Sequence, residues 1–326
     1  MTAGFSPWQQ AAYERAVTSL DEGRLGHALL VCGPTSIGKR AVVDHLAKRV
    51  LCLTPAADGE PCGRCRSCTL FPTGVHPDLR IVTFEMNEKA RPPKMRTEIV
   101  IEQARDIGAW LALTPQLGGA QVVIVDPADA MNSPAANALL KTLEEPLPNR
   151  YLWLVSAQPN RLPATIRSRC QRLELTVPGR AVALQWLLDQ GKSRADAEAA
   201  LAAAQGDPGQ AMLWLENGGM SVRRQVDADL RAIADGTGHA VEVAQRWAAD
   251  GEVGLRLRFA ADLARERAAR LTDPAETRRL ARWFDQANRV RDLLRTTIRA
   301  DLAIAGLLLE WRTGQPEPRT GGARRA

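Results

Sequence analysis

Four of the six cysteines stand close together, Cys52, Cys62, Cys65 and Cys68, in the spacing C-x9-C-x2-C-x2-C. Thiolates two residues apart share a metal from a tight turn, and four of them complete a closed tetrahedral site. The spacing predicts a structural Zn²⁺, since four thiolates leave no position for a reactive water. The plainer alternative is four free thiols, and catalysis centred on these cysteines is disfavoured because the metal spacing favours ligation over nucleophilic attack. His76 is expected to be a loop residue rather than a fifth ligand. Cys32, in an apolar run, and Cys170, beside an arginine, have no evident metal partner.

A second cluster reads Gly33-Pro-Thr-Ser-Ile-Gly38-Lys39-Arg40. Glycines at both ends let backbone N–H groups close around phosphates at a helix N-terminus, and Lys39 can reach the outer phosphates. The eighth position of such a loop is ordinarily Ser or Thr, whose hydroxyl holds Mg²⁺. Arg40 cannot ligate a cation. A glycine-rich turn kept for its shape and a residual ATP/ADP site at Gly33, Gly38 and Lys39 both fit these residues. Further on, Val122-Val-Ile-Val125-Asp126 sets an acid at a strand end, but the Glu that would activate water is replaced by Pro127, and Asp129 comes two positions late. Without the metal hydroxyl and the water-activating acid, no ATP hydrolysis is expected from this chain alone.

The loop needs a strand before it and a helix after it, and the apolar pattern supplies both. His27–Cys32 reads as a buried strand and Lys39–Leu53 as a helix with Val42, Val43, Leu46, Ala47 and Val50 along one side. Further strands are expected at Leu79–Phe84, Gln121–Val125, Tyr151–Ser156 and Leu173–Val177, with a helix over Ile101–Leu111. A second helix begins after a Ser133 cap with Pro134 in its first position, and stops at Pro146. Strand and helix alternate, so this is a doubly wound α/β domain over 1–178, with the cysteine module inserted at 52–68. Three short helices then fall over Val182–Gln190, Ser193–Ala204 and Gln210–Leu215, a small helical domain at 179–217. An all-α domain follows at 218–312, and a Gly-, Pro- and Arg-rich tail at 313–326 is expected to be disordered.

Composition narrows the class without deciding it. Hydrophobic residues at 45% and charged residues at 25% fit an ordinary globular chain, and 326 residues exceed one usual core. No apolar run approaches the roughly 18 residues of a membrane span. The first residues lack the basic-then-apolar order of a signal peptide, so the chain reads as cytoplasmic. The net charge of +6 is mild, and between Leu255 and Ala300 there are 12 Arg against 6 acids. Such a face suits either nucleic-acid phosphates or plain solvation, and charge alone favours solvation.

Together these pieces resemble the clamp-loader branch of the AAA+ ATPases, whose bacterial members carry a zinc module after the phosphate-loop helix. The carrying residues are Ala136-Asn-Ala-Leu-Leu-Lys-Thr-Leu-Glu-Glu-Pro146, Ser168-Arg169-Cys170 and His76-Pro77-Asp78. By itself the first of these is only an amphipathic helix. The resemblance implies an AAA+ P-loop parallel-sheet domain with an inserted four-cysteine zinc module, a small helical lid and an all-α collar that holds subunits together. The family's ATPase subunits keep the complete loop, an Asp-Glu pair and a sensor Arg in the lid. Here Arg40, Pro127 and the Arg-less Gly206-Asp-Pro-Gly-Gln-Ala211 depart in one direction, which selects the non-hydrolysing subunit type. Arg169 is then an arginine finger reaching a neighbour's ATP. The implied partners are the ATPase subunits (gamma/tau) and the delta subunit in a five-membered ring, with a sliding clamp and primed DNA reached through the complex, and no membrane. Two alternatives stay open: an active gamma/tau-like ATPase subunit, and a zinc-dependent DNA-binding module on an inert scaffold.

Overall fold

The most apolar stretches of the chain become the middle strands of a parallel sheet. The structure, a computed structural model, describes residues 4–294 and 298–313, and the chain divides into two compact units, 1–212 and 213–326. The first unit contains α1 (Pro7–Asp21), β1 (Ala28–Cys32), α2 (Lys39–Leu51), α3 (Arg66–Leu70), β2 (Leu79–Val82), a two-residue ladder β3 (Met86–Asn87) with β4 (Lys94–Met95), and α4 (Ile101–Leu111). It continues through β5 (Gln121–Val125), α5 (Ser133–Glu144), β6 (Arg150–Ser156), α6 (Ala164–Arg167) and β7 (Gln171–Glu174). The helices α7 (Arg180–Asp189), α8 (Arg194–Ala203) and α9 (Pro208–Glu216) follow, and the division between units falls inside α9.

Five strands pair in parallel in the order β2-β5-β6-β1-β7. All residues of β1 and β5 are buried, as continuous apolar runs covered on both faces should be. Alternate residues divide between two cores, following the two-residue period of a strand. Leu30, Val123, Val125 and Leu154 pack with Ile107 of α4 and Leu139 of α5. Leu29, Val31, Ile124 and Trp153 pack with Tyr13 of α1 and Leu46 of α2. This is the doubly wound α/β architecture expected of the AAA+-like resemblance, and it places the Gly33–Arg40 loop at the carboxyl end of β1.

Two local expectations change. The cap of α5 is Asn132, not Ser133: its Oδ1 accepts the Ala135 N–H at 3.0 Å, and Asn caps a helix as well as Ser does. The last strand is Gln171–Glu174 rather than 173–177, because β1 sets its register from Leu29↔Gln171 to Cys32↔Glu174. Leu175 donates one more bond to the Cys32 carbonyl, and β1 then ends in the loop. The helix α1 and the β3–β4 ladder arise at positions for which no element was expected.

The second unit holds α10 (Gly219–Ala234), α11 (Ala240–Ala249), α12 (Val253–Ala268), α13 (Pro274–Leu293) and α14 (Ala300–Thr313), with no strand among its described residues. Its core is aromatic: Trp283 and Trp311 lie 4.7 Å apart, and their indole N–H groups donate to the carbonyls of Leu307 and Leu230 at 2.9 Å. A buried indole usually finds such a partner. Several of its arginines pair at home, Arg256 with Asp250 and Arg279 with Glu276. The expected disordered tail, apart from Thr313, lies outside the described residues. Among those described, no helix is long and apolar enough to cross a membrane.

Candidate functional site

Gly33, Gly38 and Lys39 come together between β1 and α2. Gly38 has φ +88°, a left-handed backbone conformation that L side chains rarely adopt and that favours glycine. Lys39 is 6% exposed and its Nζ donates back to the carbonyls of Gly33 and Pro34, at 2.9 and 2.6 Å. Burial lowers its pKa. Arg40 Nε lies 2.7 Å from Asp44 Oδ1, and its NH1 lies 3.4 Å from Asp126 Oδ2. Asp129 is engaged elsewhere: its Oδ1 accepts the Ala157 N–H at 3.2 Å.

The four cysteines converge. Their Sγ atoms all lie within 4.8 Å of one another, with Cys52–Cys62 at 3.6 Å and Cys52–Cys65 at 3.9 Å. A Zn–S bond of about 2.3 Å sets tetrahedral sulfurs about 3.8 Å apart, so this quartet fits one zinc ion. Backbone N–H groups already point at the sulfurs: Cys65 N to Cys62 Sγ at 3.3 Å and Cys68 N to Cys65 Sγ at 3.4 Å. The thiols are unequal without metal. Hydrogen bonds from Thr54 and from the backbone of Arg64 and Cys65 bring Cys62 down to about 5, while burial pushes Cys68 up to about 12. A zinc ion would hold all four as thiolates, and the closed set makes its role structural.

The module is tied to the sheet on two sides. Arg49 of α2, 7% exposed, donates to Glu60 Oε1 and to Asp21 Oδ1, both at 2.9 Å, and Tyr13 and His45 bond the same Glu60 carboxylate. On the other side, buried His76 contacts Ser67 Oγ at 2.8 Å through Nε2 and accepts the Asp78 N–H at Nδ1. Both ring nitrogens are occupied by these contacts. Asp78 in turn accepts the N–H groups of Gln116 and Leu117, at 2.7 and 2.9 Å, which holds the turn before β5. Accepting at Nδ1 requires the neutral Nε2–H tautomer. Burial lowers the His76 pKa. A lowered folded value means that its stabilisation is present above the ordinary value of about 6.5 and lost as pH falls through the folded one. We expect ¹⁵N NMR to show His76 still neutral, with Nε2 protonated, just below about pH 6.5; a charged ring there would contradict this pairing.

Arg169 follows α6 and precedes β7. Its NH2 lies 2.6 Å from Glu144 Oε1 and its NH1 donates to the Thr165 carbonyl at 3.0 Å. Because β7 runs parallel to β1, Arg169 stands at the amino end of the sheet and the phosphate loop at the carboxyl end. A strand of this length separates them by about 16 Å. The structure therefore brings the loop residues together and keeps Arg169 apart from them. Residues 8–178 match the protein family described as DNA polymerase III, delta subunit. The chain belongs to that family. It is 44% identical over 185 residues to the DNA polymerase III subunit delta' of Pseudomonas aeruginosa, covering 57% of this chain and 53% of that protein. Against the subunit delta' of Escherichia coli K12 it is 35% identical over 218 residues, covering 67% and 63%. The chain thus matches little more than half to three-fifths of the length of these relatives.

In this family member, sequence reasoning locates the loop, the cysteines and Arg169, but not what surrounds them. The Arg40–Asp126 contact joins residues 86 apart and Tyr13–Glu60 residues 47 apart, and no spacing pattern signals such pairs. Glu144 stands in the Leu143-Glu144-Glu145-Pro146 stretch, where its charge is legible and its partner is not.

Proposed function

We propose that this chain is the non-hydrolysing, delta-prime-type subunit of the DNA polymerase III clamp loader, a cytoplasmic assembly. In this reading it joins ATPase subunits (gamma/tau) and the delta subunit in a five-membered ring, through a collar at 218–312. Its lid at 179–217 and its sheet domain carry no turnover of their own. Arg169 completes the ATP site of a neighbour while the ring loads a sliding clamp onto primed DNA. The observation that supports this most is the position of Arg169. It lies a strand length from its own phosphate loop, too far for its guanidinium to reach phosphates held there. The degraded loop fits the same division of labour, in which the neighbour holds ATP and metal.

The test is reconstitution. Purified chain alone should hydrolyse no ATP with Mg²⁺, whereas clamp loading by the complex should fail when this chain is omitted and return when it is added. Robust Mg²⁺-dependent turnover by the chain alone would overturn the proposal in favour of an active ATPase subunit.

A further inference from the structure

The phosphate loop of this fold ordinarily works with a divalent cation, and the residues here do not fit one. Mg²⁺ requires about six oxygen ligands at 2.0–2.1 Å in near-octahedral array. Arg40 offers five N–H donors and no acceptor, and it lies against Asp126, the acid that directly follows β5. Its Nε is held from the other side by Asp44, one helical turn along α2. A cavity of about 230 Å³ remains, lined by Thr35, Ser36, Lys39, Arg40 and Asp126 among others. Lys39, which would greet phosphates, is instead turned onto the carbonyls of its own loop.

The rest of the loop is also engaged by the chain itself. Trp8 Nε1 donates to the Ile37 carbonyl at 2.9 Å and Gln9 Nε2 to the Gly38 carbonyl at 3.0 Å. The Trp8 ring meets Trp186 of α7 edge-on, with centroids 5.2 Å apart. Gly209, in the first turn of α9, lies so close that a Cβ there would overlap the Ser36 carbonyl oxygen. Helices after the sheet are therefore seated against the loop by direct protein contacts.

We propose that Arg40 is the resident cation of this site: its guanidinium, between Asp44 and Asp126, takes the place of the divalent metal. The inference builds on the non-hydrolysing reading of the loop and is independent of Arg169. Removing the guanidinium leaves two carboxylates facing an open position. A serine hydroxyl beside Asp126 then restores oxygen ligands, and a hard cation becomes the group that fits.

The experiment is thermal melting of the full chain with and without millimolar Mg²⁺, no nucleotide present. Wild type should be unmoved by Mg²⁺. Arg40→Ser should melt lower without Mg²⁺ and recover several degrees with it, and Arg40→Ser/Asp126→Asn should lose that response. A wild type stabilised as much as Arg40→Ser, or an Arg40→Ser chain indifferent to Mg²⁺, overturns the proposal. Should Arg40→Ser not fold, Arg40→Lys is the second arm. An ammonium keeps the charge between the two acids, so this chain should fold and ignore Mg²⁺; failure to fold, or a Mg²⁺ response, again overturns it. Hydrolysis of Mg²⁺·ATP by wild type would instead strike the proposed function, and the nucleotide-free melts separate the two failures.

Discussion

In the proposed clamp-loader complex, Arg169→Ala should slow ATP hydrolysis at the neighbouring site by about 10³–10⁵-fold, the range in which arginine fingers act on phosphoryl transfer. The charge that builds on the transferring group is met by a planar fork of N–H donors, which alanine lacks and lysine does not reproduce. Arg169→Lys should therefore recover little. The guanidinium now rests on Glu144, but both partners are exposed, at 36% and 49%, and such a pair is worth about 0–1 kcal/mol. It orients the side chain without holding it against a triphosphate. Single-turnover hydrolysis in a complex shown to be intact is the measurement, because the other sites of the proposed ring would keep working in steady state. Unchanged single-turnover rates would leave this chain a structural ring member and remove the finger.

Zinc removal is the second large effect. Purified protein should carry one zinc per chain, and Cys65→Ser should carry essentially none. Cys65 is the pivot of the quartet: its Sγ accepts the Cys68 N–H at the start of α3 and lies 3.9 Å from the Cys52 sulfur. Structural zinc contributes roughly 10–16 kcal/mol in isolated zinc-finger peptides, where it is the whole fold. Here Arg49–Glu60 and His76–Ser67 keep a grip on the module, so the loss should stay local. Hydrogen exchange should rise to unprotected rates over residues 52–70 while the amides of β5 and β6 remain protected. Metal analysis of both proteins decides it. A Cys65→Ser protein that retains stoichiometric zinc would show that these four thiolates are not the site.

The parts readable from the sequence share one property: their cause is local. The buried runs 121–125 and 28–32 had to be strands covered on both faces. The cysteine spacing had to bring four sulfurs to one point, and a glycine-rich turn between strand and helix had to be a loop of phosphate-binding shape. The cap of α5 falls one residue from its expected place because Asn132 and Ser133 are equally good caps, and only the entry angle of the chain chooses between them. The end of the last strand depends on where β1 stops, and β1 lies far back along the chain. Likewise, Arg40 is legible as a residue unable to bind metal, yet nothing near it in the chain announces Asp126.

By itself, then, the sequence determined the α/β class, the four-cysteine cluster, and the absence of a hydroxyl from the loop and of an acid directly after Asp126, since each depends on residue type and short-range spacing. Only the tertiary structure decided that Arg40 lies on Asp126, that Trp8 and Trp186 meet beside the loop, and that Arg169 stands at the opposite end of the sheet. Those facts depend on which strands pair and in what register, and pairing in a parallel sheet joins segments that the chain keeps far apart.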